Sequence, residues 1–246
     1  MVALILAAGY GTRLYPLTKE VPKALLPVQE KPILEHLMEK LEAPELEIRQ
    51  MVMVSNHRYF QPFQTWLARR PGKLRGKVLD DGSTSEENRL GSVGDMAFAI
   101  RAASLEKEDL LVLGSDNLFR DGLSGFGRFA QEKAPAVTLG AYELPDKSSA
   151  RRYGVLALEE DRVSSFQEKP ANPPSALIST AIYFFPCQSV HWVLEYVGLN
   201  QSADTLGCFI QWLLSRQAVF AYRFQGPWFD IGDMVSYTHA QETYAS

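Results

Sequence analysis

Leu4-Ile5-Leu6-Ala7-Ala8-Gly9-Tyr10-Gly11-Thr12-Arg13-Leu14-Tyr15-Pro16-Leu17-Thr18, followed by Pro22-Lys23, is the stretch on which the reading of this chain turns. The apolar run from Val2 to Leu6 has the composition of a buried strand, and it passes without a linker into small residues and glycines. At Ala8, Gly9, Gly11 and Thr12 the backbone can bring N–H groups close to an anion, as a phosphate cradle requires. Arg13 and Lys23 add positive charge. The segment is not a Walker loop, because no Gly-Lys-Ser/Thr closes it. It is a poor dinucleotide fingerprint, because Leu14 stands where the third glycine belongs. A nucleoside triphosphate site at the end of the first strand is expected.

Working outward, short β-rich runs alternate with amphipathic stretches. Ile33 to Leu41 reads as a helix with Pro32 in its first turn, Met51 to Val54 as a strand, and Phe60 to Ala68 as a helix. Val78-Leu79 follows as a strand, Val93 to Ala102 as a helix and Leu110 to Leu113 as a strand. Such βα alternation predicts an α/β fold with a largely parallel, doubly covered sheet. Beyond Asp116 the runs Val137 to Tyr142, Val155 to Leu158, Val163 to Phe166 and Ile178 to Phe185 are strand-like, with helices near Val190 to Val197 and Thr205 to Leu214. That part should be mixed and partly antiparallel. No Gly/Ser linker or fixed-period repeat divides the chain, so one continuous domain over 1–246 is expected. After Gly232 one amphipathic stretch to Tyr244 remains, and no appended β-helix or acyltransferase domain is expected.

Composition narrows the partners. In 246 residues, 46% hydrophobic and 22% charged, a net charge of −4 offers no attraction for a polyanion, and the pairs Arg69-Arg70 and Arg151-Arg152 are too sparse for a nucleic-acid stripe. Neither nucleic acid nor membrane is expected as a partner, because the apolar start is too short to span a bilayer and no later run reaches the required length. Cys187 and Cys208 have no metal-ligand neighbours and form no framework, so a reducing, cytoplasmic setting is expected. A homo-oligomer stays open.

The longer string Ala7-Ala8-Gly9-x-Gly11-Thr12-Arg13-Leu14-x-Pro16-Leu17-Thr18, with Pro22-Lys23 and Pro27, resembles the signature of sugar-1-phosphate nucleotidyltransferases. Other pieces extend the resemblance. Gly91-Ser92-Val93-Gly94 resembles the family's turn beside base and ribose, although Ser92 and Val93 depart mildly from it. Asp116 in Gly114-Ser115-Asp116-Asn117 and Asp230 in Trp228-Phe229-Asp230-Ile231-Gly232 match the family's two metal carboxylates, implying Mg²⁺. Tyr153-Gly154-Val155 and Glu168-Lys169-Pro170 match its sugar-phosphate elements. At Ile178-Ser179-Thr180-Ala181, Ser179 replaces the family's asparagine and Ala181 its glycine. The four histidines, His36, His57, His191 and His239, fall outside every matched motif and receive no catalytic task.

The resemblance implies a three-layer, Rossmann-like mixed sheet, mostly parallel, with a nucleotide-binding half over 1–120 and a sugar-phosphate-binding half over 121–246. It implies that an oxygen of a sugar 1-phosphate attacks the α-phosphorus of an NTP in line, releasing pyrophosphate and forming an NDP-sugar. The attacking phosphate is already ionised, so cations rather than a general base are needed. Arg13 and Lys23 would bind the leaving phosphates, Lys169 would place the nucleophile, and Glu168, Tyr153, Gly154 and Ser179 would line the sugar side. Two other readings are a cytidylyltransferase acting on a non-sugar phosphate such as phosphocholine, and a non-catalytic homologue that binds nucleotide-sugar. Arg13, Lys23, Asp116 and Asp230 are all present, which argues against the latter.

Overall fold

The apolar run at the start forms β1 (Val2–Leu6), with Val2, Ala3, Leu4 and Ile5 fully buried. A strand covered on both faces loses the polar alternation of a surface strand, which is why it reads as a continuous apolar run. The computed structural model describes residues 1–199 and 204–244. It divides into two compact units, one of Met1–Arg89, Leu113–Leu123 and Gly226–Ser246, the other of Leu90–Val112 and Ser124–Gln225.

In the first unit β1 is followed by the short pair β2 (Pro27–Val28) and β3 (Lys31–Pro32), then α1 (Ile33–Leu41), β4 (Gln50–Ser55), α2 (His57–Arg69) and β5 (Gly76–Asp80). β4 runs parallel to β1, pairing Val2 with Gln50, and parallel to β5, pairing Met51 with Gly76. Pro32 takes the N-cap of α1 rather than its first turn.

The second unit begins with α3 (Gly91–Ala102), and the division between the units falls within β6 (Leu110–Gly114). The first unit then gains β7 (Asn117–Phe119). The second continues through α4 (Ser124–Glu132), β8 (Val137–Glu143), β9 (Gly154–Glu159), β10 (Arg162–Glu168), β11 (Leu177–Phe185), α5 (His191–Gly198), α6 (Leu206–Leu213) and β12 (Val219–Arg223). Its strands lie in the order β11-β8-β12-β10-β9. β12 and β8 are parallel, whereas β10 with β9, β10 with β12 and β11 with β8 are antiparallel. The chain is therefore α/β with a mixed sheet, parallel at β1, β4 and β5 and mixed later, as the change of pattern after Asp116 predicts.

The units are interleaved in sequence, not separated by one cut near residue 120. β13 (Trp228–Asp230) and α7 (Met234–Thr243) belong to the first unit. The physical reason is twofold. β13 pairs antiparallel with β7, and Ile231, Ala240 and Tyr244 join Leu14, Leu26, Val28, Ile33 and Leu118 in one apolar cluster. Each fully buried aliphatic side chain of that kind contributes about 1.5–3 kcal/mol, enough to fix the late segment against the early loop. No helix among the described residues is long and apolar enough to cross a membrane.

Candidate functional site

Where β1 ends, Ala7 donates its N–H to the Val54 carbonyl at 2.9 Å. Asn56 Nδ2 donates to the Ala8 carbonyl at 2.9 Å, while its Oδ1 accepts from the Tyr59 N–H and caps α2. Gly11 has φ +62° and opens the 3-10 turn Thr12–Leu14. An L side chain in this left-handed region costs about 1 kcal/mol, which explains the glycine. The buried Thr18 hydroxyl donates to the Gly11 carbonyl at 2.8 Å and closes the loop. A Cβ built on Gly9 would meet nothing within 4 Å, so the backbone is open to a ligand there.

Ser115 donates its N–H to the Leu6 carbonyl at 3.2 Å, which brings the end of β6 beside the end of β1. Next to it, the Lys23 ammonium lies 2.5 Å from Asp116 Oδ2. Asp116 Oδ1 accepts from Asn117 Nδ2 at 2.8 Å, and Asn117 Oδ1 accepts from the Trp228 indole N–H at 2.8 Å. Burial works to raise the Asp116 pKa, but the charge and hydrogen bond of Lys23, with the Asn117 amide, hold it below the usual carboxylate range. Asp230 arrives by strand pairing, opposite Asn117, and the Ile231 N–H donates to the Asp116 carbonyl at 3.0 Å. A Cβ built on Gly232 would stand 3.4 Å from Asp230 Oδ2 and 3.5 Å from Arg13 Nη2. The first unit thus gathers Arg13, Lys23, Asp116 and Asp230 at the end of β1. Among the described residues no three or more His, Cys, Asp or Glu side chains are grouped as a metal cage. Two carboxylates suit a hard cation whose remaining ligands are substrate oxygens and water.

The second unit holds the other predicted residues. Gly91 has φ +77° and starts α3, with Gly94 in its first turn. Both the N–H and the hydroxyl of Ser92 donate to the Asp204 carbonyl, at 3.0 and 2.8 Å. Gly154 opens β9 directly after Tyr153, and the Tyr153 carbonyl accepts from the Lys169 N–H at 3.0 Å. Glu168 and Gly154 are register partners on β10 and β9. Lys169 has φ +46°, and its ammonium stands 3.7 Å from Glu168 Oε1. Burial raises the Glu168 carboxyl above the usual range; Lys169 opposes that shift and Asp204 adds to it. Ser179 is buried in β11, where its hydroxyl reaches the Thr180 carbonyl and the Tyr183 hydroxyl, both at 3.1 Å. Burial pushes the Tyr183 phenol up to about 12, against the Ser179 hydrogen bond.

Sequence reasoning gave no role to Asn56, Thr18, Asn117 or Gly207. Asn56 carried a usable signal, an asparagine between a strand and a helix. Thr18 and Asn117 stood inside recognised strings, but their partners, Gly11 and Trp228, are set by folding. Nothing local marks Gly207.

An α/β fold with a glycine loop, two cations and two carboxylates at the end of its first strand is an arrangement suited to a phosphate-bearing ligand. The chain belongs to the Nucleotidyl transferase family, which it matches over residues 2–246. It is 30% identical over 235 residues to UTP–glucose-1-phosphate uridylyltransferase AglF of Haloferax volcanii, covering 94% of this chain and 91% of that one. It is also 30% identical over 231 residues to the mannose-1-phosphate guanylyltransferase catalytic subunit beta of Drosophila pseudoobscura pseudoobscura, covering 94% of this chain and 58% of that one. Other curated relatives are longer, and the chain spans between 51% and 62% of their length. The crystal structure of a UDP-glucose pyrophosphorylase complexed with UDP-glucose shares the fold, with a TM-score of 0.83 at 22% identity over 99% of this chain and 97% of that one.

Proposed function

We propose that the protein transfers a nucleoside monophosphate from an NTP to a sugar 1-phosphate, releasing pyrophosphate and leaving an NDP-sugar. The observation that carries this reading is the cluster of Arg13, Lys23, Asp116 and Asp230 around the Gly9–Gly11 loop of the first unit, which is open at Gly9. The relatives named above support the sugar phosphate as acceptor.

Arg13 and Lys23 bind the β- and γ-phosphates and stabilise the departing pyrophosphate. Asp116 and Asp230 would hold Mg²⁺, which when bound neutralises phosphate charge and polarises the α-phosphoryl group. The Lys23 ammonium contacts Asp116, so the same cation that would meet the triphosphate also lies against a carboxylate assigned to the metal. Gly91, Ser92 and Gly94 form the turn on the base and ribose side. Tyr153, Gly154, Glu168 and Ser179 line the sugar side, and Lys169 holds the attacking phosphate in line. No residue need remove a proton, because the nucleophilic oxygen is anionic at neutral pH. The reading includes a single working domain over 1–246 and a cytoplasmic location, the latter supported by the free thiols Cys187 and Cys208.

The test is pyrophosphate release from UTP, dTTP, CTP and GTP with Mg²⁺, each paired with glucose 1-phosphate, mannose 1-phosphate and phosphocholine. Turnover only with sugar phosphates is expected. Turnover only with phosphocholine would replace the acceptor, and none with any pair would overturn the reading.

A further inference from the structure

α6 carries a glycine where backbone geometry does not ask for one. Gly207 is buried in the first turn of this helix, behind the N-cap Thr205, and its φ is not positive. Glycine is a poor helix former, so space and not backbone freedom must account for it. A Cβ built on Gly207 would collide with Glu168 Oε2, stand 2.6 Å from Glu168 Cδ and come within 3.1 Å of Phe166 Cε1. A Cβ built on Gly154 would stand 3.2 Å from the same Oε2 and collide with the Phe166 ring. The carboxylate of Glu168 therefore lies in room left by two missing side chains, one on β9 and one on α6. Gly154 belongs to a recognised string; Gly207 belongs to none. The segment leading into α6 is fixed by the double hydrogen bond from Ser92 to the Asp204 carbonyl.

We propose that Gly207 is a positioning residue, whose missing side chain lets the Glu168 carboxylate rest against the first turn of α6, aimed to accept a hydroxyl of the sugar. This rests on the nucleotidyl-transfer reading only for the identity of what Glu168 accepts. The placement itself follows from packing. It accounts for the shift of Glu168, since a carboxylate pressed between two strands and a helix is shielded from water. Lys169 faces it with positive charge and Asp204 with negative, and the Tyr183 phenol stands within its electrostatic reach.

The test compares Gly207→Ala, Glu168→Asp and the double variant in the full chain. Gly207→Ala should raise the KM for sugar 1-phosphate about tenfold or more, the worth of one charged hydrogen bond, and leave the KM for NTP within about twofold. Glu168→Asp carries a carboxylate one carbon shorter, so adding it to Gly207→Ala should cost less than it costs the native protein. An unchanged sugar-phosphate KM in Gly207→Ala, or purely additive losses, overturns the proposal. The second readout needs no turnover. Carbon-13 NMR of the Glu168 carboxyl should show its pKa falling toward the ordinary glutamate value in Gly207→Ala, and an unmoved titration overturns the placement. If the native protein turns over no sugar phosphate, the functional reading fails while the titration still decides the placement. Should Gly207→Ala not fold, recovery on adding Glu168→Ala supports the proposal, and no recovery overturns it.

Discussion

In the first unit the Lys23 ammonium sits 2.5 Å from Asp116, and the carboxylate is held below its usual pKa. In the second, Lys169 stands 3.7 Å from Glu168, and the carboxyl is pushed above it. Both pairs join one lysine to one carboxylate, both lysines lie within matched strings, and both acids are shielded. The difference lies in what else reaches the acid. Asp116 has a contact ion pair and an asparagine amide on its second oxygen, so its charge is compensated in place. Glu168 has a looser cation with 58% of its side chain exposed, glycine-made room around Oε2, and Asp204 nearby. A compensated carboxylate suits a cation site, whereas an undercompensated one is ready to accept a hydrogen bond from a hydroxyl.

Several substitutions would break or sharpen this contrast. The largest effect is expected at the compensated acid. Asp116→Asn keeps the size and the Asn117 contact but removes the charge, and it should lower turnover about a thousandfold with the fold intact by circular dichroism. Near-normal pyrophosphate release in Mg²⁺ would remove Asp116 from the metal assignment. Next comes Lys169→Ala, expected to raise the sugar-phosphate KM about tenfold to a hundredfold while sparing NTP affinity, the loss of one charge-assisted phosphate contact. An equal rise in both KM values would contradict the division of labour between the lysines.

Smaller still is the pH dependence of stability. A carboxyl whose folded pKa is raised binds its proton more tightly in the native state, so it lowers stability as pH rises from the ordinary glutamate value through the folded one. That cost is absent below both values and fully present above them. Glu168→Gln should therefore raise the urea midpoint near neutral pH and flatten its decline over the mildly acidic range, with little change at lower pH. A lower midpoint at neutral pH would show that the charge is better compensated than the geometry implies. The smallest effect concerns backbone alone. Lys169 holds φ +46°, so Lys169→Gly should be about 1 kcal/mol more stable than Lys169→Ala, or roughly 2–4 °C in Tm for a chain of this size, although both lose the ammonium. Equal melting temperatures would show that this conformation stores no strain.

Much of this was legible before folding. Strands such as Val2–Leu6 and helices such as Ile33–Leu41 announce themselves because burial imposes a period on the residues. The short strands Asn117–Phe119 and Trp228–Asp230 do not, since three residues are too few to show alternation and their stability comes from each other. α4 was equally hidden, with Gly125 and Gly127 diluting its pattern. In the site, Arg13, Lys23, Asp116 and Asp230 can be picked out from motif strings, and the fold of the first unit brings them near one another. Ser92 shows the limit. Its string matches a turn beside base and ribose but gives no sign of Asp204, more than a hundred residues later, whose carbonyl takes both its N–H and its hydroxyl, a partner that only tertiary structure supplies.

The interleaving of the units has a consequence for the order in which the chain is made. A ribosome delivers Asp116 early and Asp230 only after all of 124–225 has emerged. The β7–β13 ladder that sets the two aspartates together cannot close until then, whereas β1, β4 and β5 have no such wait. A nascent chain can thus own the parallel strands that frame the glycine loop and still lack both Asp230 and the late apolar residues that pack against Leu14. Under the functional reading, nucleotide chemistry is withheld until the whole of the second unit has been synthesised.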